Sequence, residues 1–268
     1  MRLGGLRRSN NVEDRRASGS GRMSVGRGKG GILTFIIVLV GAYYGVDLSG
    51  LMGGQSSKLE SSEEAHLEDL SSKVLASTED IWNAYFKQNG ISYKEPTLVL
   101  YRGATQTACG TGQSAMGPFY CPVDQKVYID LSFYDDMRKR LRASGEFAFS
   151  YVIAHEVGHH VQNLLGITGK TQREQMRAKS KAVANQISVN VELQADCFAG
   201  VWGHQLAQQN RLEQRDIEDA FNAAQAVGDD RLQQQSRDSF THGSSAQRLE
   251  WFKKGLTAGN PSVCNTFN

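Results

Sequence analysis

The chain has 268 residues, with 40% hydrophobic and 22% charged side chains and only four prolines. That length and balance suit one sizeable globular domain plus some extra sequence, and exclude a collagen-like, low-complexity or wholly disordered chain. The net charge of +2 is unevenly spread: residues 1–30 hold eight Lys/Arg against Glu13 and Asp14, a net +6, which leaves the rest at −4.

In chain order, residues 1–30 read as a basic, disordered tail, rich in Gly and Ser and almost without an aliphatic pattern. The tail leads into Ile32–Val46 (ILTFIIVLVGAYYGV), the most apolar run of the chain. Fifteen residues at helical rise reach roughly 22 Å. Interfacial flanks and the belt residues Tyr43 and Tyr44 extend residues 31–48 towards a span. A cleaved signal peptide is the rival reading, but no small-x-small site follows the run. The positive leader then predicts a cytoplasmic tail, a single-pass inner-membrane anchor, and a domain facing the periplasm or cell exterior, without a role for nucleic acid. Residues 49–62 (SGLMGGQSSKLESS) read as a linker, and 63–268 as the folded domain.

Within that domain, Leu67, Leu70, Val74, Leu75, Ile81, Trp82 and Phe86 recur at helical spacing up to Gly90. Thr97–Tyr101 reads as a short buried strand and residues 103–122 as a Gly-rich loop. Lys126–Phe133 alternates Val127, Ile129, Leu131 and Phe133 as a half-buried strand. From Ser144, a possible helix cap, the pattern is almost wholly helical: one helix to Leu165, one over about 180–209, a long one over 212–235, and a final helix. Four cysteines, Cys109, Cys121, Cys197 and Cys264, permit three pairings. In an exported domain the simplest is Cys109–Cys121 with Cys197–Cys264; four free thiols in a cytosolic domain is the alternative.

The first of the late helices contains His155-Glu156-Val157-Gly158-His159. Spacing of four puts both imidazoles on one face, within reach of one ion, and Glu156 about 100° round the helix, suited to take a proton from water. Downstream, Glu192 and Asp196 are again four apart on one helix. A hydrolytic zinc takes three protein ligands and keeps one position open, so His155, His159 and Glu192 form a candidate set. Asp196 suits the outer carboxylate that fixes a ligand imidazole. His160 and His204 lie off the ligand face and read as structural; His66 reads as solvated.

HEVGHH and ELQADCFAG resemble the bacterial family of neutral zinc metallopeptidases, a membrane-anchored group. The likeness is carried by residues 108–133, 151–166 and 240–252. It implies a zincin-like α+β fold, mostly helical with a small sheet, behind one N-terminal transmembrane helix. Similarity to zincins with a glutamate third ligand implies Zn2+ on His155, His159 and Glu192, with Glu156 as general base. By analogy, His242 stabilises the oxyanion, or Arg248 does so or orients its loop, and strand 126–133 edges a cleft for peptide or protein substrates. A catalytically silent zinc-binding scaffold and a zinc amidase acting on cell-wall peptides are the other functions compatible with these residues. The oligomeric state and natural substrate are not legible.

Overall fold

The computed structural model describes residues 1–17, 59–232 and 239–267. The expected anchor at 31–48 and nearly all of the expected linker lie outside those residues. Among the described residues, no helix is long and apolar enough to cross a membrane. The architecture is α+β and mostly helical, with a four-stranded sheet and a small hairpin, as expected.

The basic tail is the first correction. Residues 12–14 form strand β1 (Val12–Asp14), paired in parallel with β2 (Thr97–Tyr101), and Leu3 and Ser9 are buried. Scattered charge looked like disorder, but each of Arg2, Arg7, Arg8, Arg15 and Arg16 has a carboxylate partner. Helix α1 (Ser61–Gln88) follows, with Glu63 and Glu64 favourably placed in its positive first turn. It buries Leu67, Leu70, Val74, Leu75, Trp82 and Phe86, the stripe its spacing predicts.

The Gly-rich region is more ordered than a loop. It holds the hairpin β3 (Ala104–Thr107) and β4 (Gly110–Gln113), then β5 (Phe119–Cys121). Strand β6 (Lys126–Asp130) pairs in parallel with β2 and antiparallel with β5, giving the order β1-β2-β6-β5. Alternation decides the faces of β6. Val127 and Ile129 enter the main core, while Tyr128 packs with Val99, Tyr101 and Cys121 on the other side. The strand stops three residues early because Asp130 accepts N–H groups of Ser132 and Gly103, turning the chain into helix α2 (Phe133–Lys139).

Helix α3 (Glu146–Leu164) is capped by Gly145 at φ +103°, not by Ser144. The positive φ favours glycine there, and a Cβ would also displace the Asp219 carboxylate. Helix α4 (Ile167–Met176) leads to α5 (Lys181–Gln208), where the Ser180 hydroxyl accepts the Val183 N–H. The expected long helix over 212–235 is broken: α6 (Gln214–Ala226) ends before Gly228, and α7 (Asp229–Leu232) starts afresh. The C-terminal helix is α8 (Ser245–Ala258). The core lies between the sheet and α1, α3, α5 and α8, with Phe147 stacked on Trp202 at 5.3 Å between centroids. Both disulfides form as expected, Cys109–Cys121 and Cys197–Cys264.

Candidate metal centre

Two helices meet at the residues singled out by the motifs. Gly158, in the middle of HEVGH, faces α5 so closely that a Cβ there would sit 3.0 Å from the Ala195 carbonyl. The missing side chain lets α3 and α5 approach, and the approach brings His155 and His159 opposite Glu192.

The donor atoms cluster within 4.8 Å of one another, with each Glu192 oxygen facing one imidazole. His155 Nε2 lies 3.2 Å from His159 Nε2 and 3.2 Å from Glu192 Oε2, and His159 Nε2 lies 3.5 Å from Glu192 Oε1. Zinc bonds of about 2.0–2.1 Å in a tetrahedron imply donor separations of about 3.3 Å. These three residues form the group of His, Cys, Asp and Glu able to hold a metal ion among the described residues. The donor set and spacing therefore fit zinc.

Each imidazole is held through its other nitrogen. His155 Nδ1 is 2.8 Å from Asp196 Oδ1, an ionised acceptor, so Nδ1 carries the proton and Nε2 keeps its lone pair. His159 Nδ1 likewise donates to Gln162 Oε1 at 2.8 Å. The Gln162 amide is oriented by its own donations to the Val191 carbonyl, 2.7 Å, and to Gln194 Oε1, 3.0 Å. Gln194 in turn donates to the Cys264 carbonyl at 2.9 Å.

Asp196 is fully buried and shared. Besides His155, it accepts the Tyr151 hydroxyl at 2.5 Å and both Nε (2.8 Å) and Nη2 (2.9 Å) of Arg248. Burial opposes the charged form of Asp196, but Arg248 and His155 hold its carboxyl below the usual range. Burial opposes the charge on Glu192 as well, and His159, His155 and His242 hold it well below that range. Burial would lower His155, yet Asp196 and Glu192 draw it up to about 10. The same two carboxylates that raise His155 favour a cation here, so metal and protons compete for the site. Burial pushes the Glu156 carboxyl up to about 7, with His155 opposing and Glu192 adding.

The cavity over this cluster has a volume of about 530 Å³ and includes Phe119, Tyr120, Glu156 and His242 in its walls. His242 reaches it from the loop before α8, 44% exposed at its side chain. Asp229 fixes it: one carboxylate oxygen accepts the backbone N–H groups of Thr241, His242 and Gly243, and the other faces His242 Nδ1 at 3.1 Å. This explains the helix break before Asp229. A Cβ at Gly228 would lie 2.3 Å from the Ser245 nitrogen, so only glycine lets the chain turn in under the loop. Partial burial would lower His242, but Asp229 and Glu192 raise it.

Several expectations change here. Arg248 does not face the cavity as a free donor: it is 4% exposed and spent on Asp196 and the Val227 carbonyl. The strand at the cavity is β5, through Phe119 and Tyr120; β6 is interior to the sheet, between β2 and β5. His160 is off the ligand face, with Nε2 donating to the Lys94 carbonyl at 2.6 Å and Nδ1 accepting from the Tyr120 hydroxyl at 2.9 Å. His204 contacts the Leu256 carbonyl, and His66 pairs with Glu146 at the surface. Tyr151, Gln162, Gln194 and Asp229 were not picked out from the sequence. Tyr151 and Gln162 carried a signal, one turn before His155 and one turn beyond His159 on the same helix.

The family model described as "Putative neutral zinc metallopeptidase" matches residues 1–267. The chain is similar to "Uncharacterized protein YpfJ" of Escherichia coli K12, at 56% identity over 284 aligned positions, covering 100% of this chain and 99% of that protein. It is also similar to "Uncharacterized protein Rv2575" of Mycobacterium tuberculosis H37Rv, at 43% identity over 192 residues, covering 66% of this chain and 64% of that one. No solved structure matches it. With the family matched along nearly the whole length and the His-His-Glu cluster in place, the chain belongs to the neutral zinc metallopeptidase family.

Proposed function

We propose that the protein is a zinc-dependent endopeptidase, with His155, His159 and Glu192 as the metal ligands and Glu156 as general base. The observation that carries this reading is the cluster of His155, His159 and Glu192, whose donor atoms lie within 4.8 Å of one another, beside the buried Glu156 carboxyl on α3. Zinc held there supplies Lewis acidity, which acidifies water and polarises a carbonyl. Glu156 takes the proton of the attacking water and passes it to the leaving amine, a role that its position beside the ligand imidazoles and its burial suit. His242 faces the cavity with Nδ1 committed to Asp229, which leaves Nε2 to donate to the developing oxyanion. Arg248 and Tyr151 keep Asp196 ionised and fixed, and through it His155.

An extended peptide suits the cavity because β5 pairs only with β6 among the described strands, which leaves its other edge for a substrate backbone. The two disulfides support an oxidising compartment for the domain.

The test is zinc content per chain in the wild type, Glu192→Ala and Glu156→Gln, with cleavage assayed on a fluorogenic peptide library and on cell-wall peptide fragments. The expected result is one zinc in the wild type, marked loss in Glu192→Ala, and zinc retained with turnover down on the order of 10³-fold in Glu156→Gln. Undiminished zinc in Glu192→Ala would remove the third ligand, and cleavage of cell-wall fragments alone would make the enzyme an amidase.

A further inference from the structure

The N-terminal segment is built into the domain more deeply than a surface tail. Glu79, on α1, is a fully buried carboxylate. Arg7 Nη2 at 2.8 Å, Ser9 Oγ at 2.5 Å and Asn11 Nδ2 at 2.9 Å all hydrogen-bond to it, and all three come from the N-terminal segment. Without that segment Glu79 would be a buried charge stripped of these partners, a state that proteins avoid. Ser9 also exchanges backbone and side-chain hydrogen bonds with Ser72, and β1 extends the sheet beyond β2. The sequence of the domain is thus written to receive residues 1–17.

Both ends of the intervening stretch meet the same part of the molecule. Arg16 pairs with Glu64 and Glu68 in the first turns of α1, and Leu59, just before that helix, belongs to the same core cluster as Leu3. Residues 18–58 therefore begin and end on one domain. A chain that crosses a bilayer once leaves its two flanks on opposite sides, which is what the basic leader and the apolar run Ile32–Val46 imply when read alone. That topology and the docked strand exclude each other. Arg2, Arg7, Arg8 and Arg16 pair with carboxylates at positions 64–80 and 213, so they are ligands of the domain as well as part of a basic leader.

We infer that residues 1–17 and the domain of residues 59–267 lie on the same side of any membrane the protein contacts, with residues 1–17 as the outermost strand of the domain, and that Ile32–Val46 does not separate them. This concerns topology and does not depend on peptidase activity.

The experiment labels single cysteines in the full chain, expressed in bacterial cells, with a membrane-impermeant maleimide. The four native cysteines are paired in disulfides and silent. Gly4→Cys reports on the N-terminal segment: Gly4 is exposed, and a Cβ there meets nothing within 4 Å. Thr257→Cys, at the exposed end of α8, reports on the domain. Labelling is measured in intact spheroplasts as a fraction of that after detergent lysis. The expected result is equal fractions, either both near complete or both near zero. Labelling of one site with protection of the other would overturn the inference and restore a single crossing.

Discussion

Asp196 has three partners on two elements: His155 and, one turn before it, the Tyr151 hydroxyl on α3, and Arg248 on α8. Its neighbours in ELQAD are legible as a helix face, but Arg248 is 52 residues away, so no local pattern reveals the pair. The same division runs through the site. His155, Glu156, His159, Glu192 and Asp196 could be read because a period near four is a local property, whereas Asp229 lies under His242 only because of a helix break at Gly228. Arg248→Ala is predicted to destabilise the protein by about 3–5 kcal/mol, since it leaves a buried carboxylate unpaired. It should also weaken zinc binding about 10–100-fold through His155. Urea unfolding and zinc competition titration measure the two effects, and a variant that binds zinc normally would detach Asp196 from ligand positioning. His160 gives a pH signature. Burial lowers it to about 4, with its bond to the Lys94 carbonyl opposing, so the folded protein holds it neutral while the unfolded chain protonates near 6.5. The sign follows: its contribution is fully present above about 6.5, falls as the pH drops from there to about 4, and changes no further below. Unfolding free energies of wild type and His160→Gln compared at pH 7 and 4.5 should converge by about 2–3 kcal/mol at the lower pH. A constant difference would mean that His160 accepts its charge in the fold.

At the scale of elements, the close approach of helices through glycine sets the site. Gly200 on α5 and Gly255 on α8 interlock: a Cβ on the first would meet the Phe252 carbonyl at 2.2 Å, and one on the second the Cys197 carbonyl at 2.0 Å. Both obstacles are backbone, so neither can rotate away. Helix α8 also carries Arg248, and the glycine contact therefore fixes how far the guanidinium sits from Asp196. Gly200→Ala should cost at least the about 1–3 kcal/mol of an overpacked core, despite the better helix propensity of alanine. It should also lower zinc affinity by moving α8, which thermal unfolding and zinc titration together would reveal; a stabilised variant with intact affinity would show that α8 does not position the site. Helices were the legible part of the fold, because α1, α3 and α5 each present a long apolar pattern. The strands were legible where they are continuously apolar, as in Thr97–Tyr101, or alternate over several residues, as from Lys126. Residues 103–122 read as loop because glycines mask the short hairpin, and β5 (Phe119–Cys121) is too short to show a period.

Across the whole molecule, residues far apart in sequence are closed onto one centre, and the C-terminal tail belongs to it. A chain of contacts runs from His159 through Gln162 and Gln194 to the carbonyl of Cys264, whose sulfur is bonded to Cys197 on the helix that carries Glu192. The basic N-terminus was misread for the same reason that this tail had no visible role: ion pairs and side-chain relays between distant segments have no sequence period. The cross-link spans 67 residues, and loop-closure entropy assigns it about 4 kcal/mol, against about 3 kcal/mol for Cys109–Cys121 with its separation of 12. Replacing Cys197 and Cys264 by alanine should therefore destabilise the protein more than replacing Cys109 and Cys121. Because the relay to His159 ends on the Cys264 carbonyl, only the first pair should also weaken zinc binding. Thermal unfolding of both double variants, with zinc competition run alongside, separates the two effects. Equal zinc affinity in both would mean that the tail stabilises the fold without orienting His159, and that Gln162 is held by the Val191 carbonyl alone.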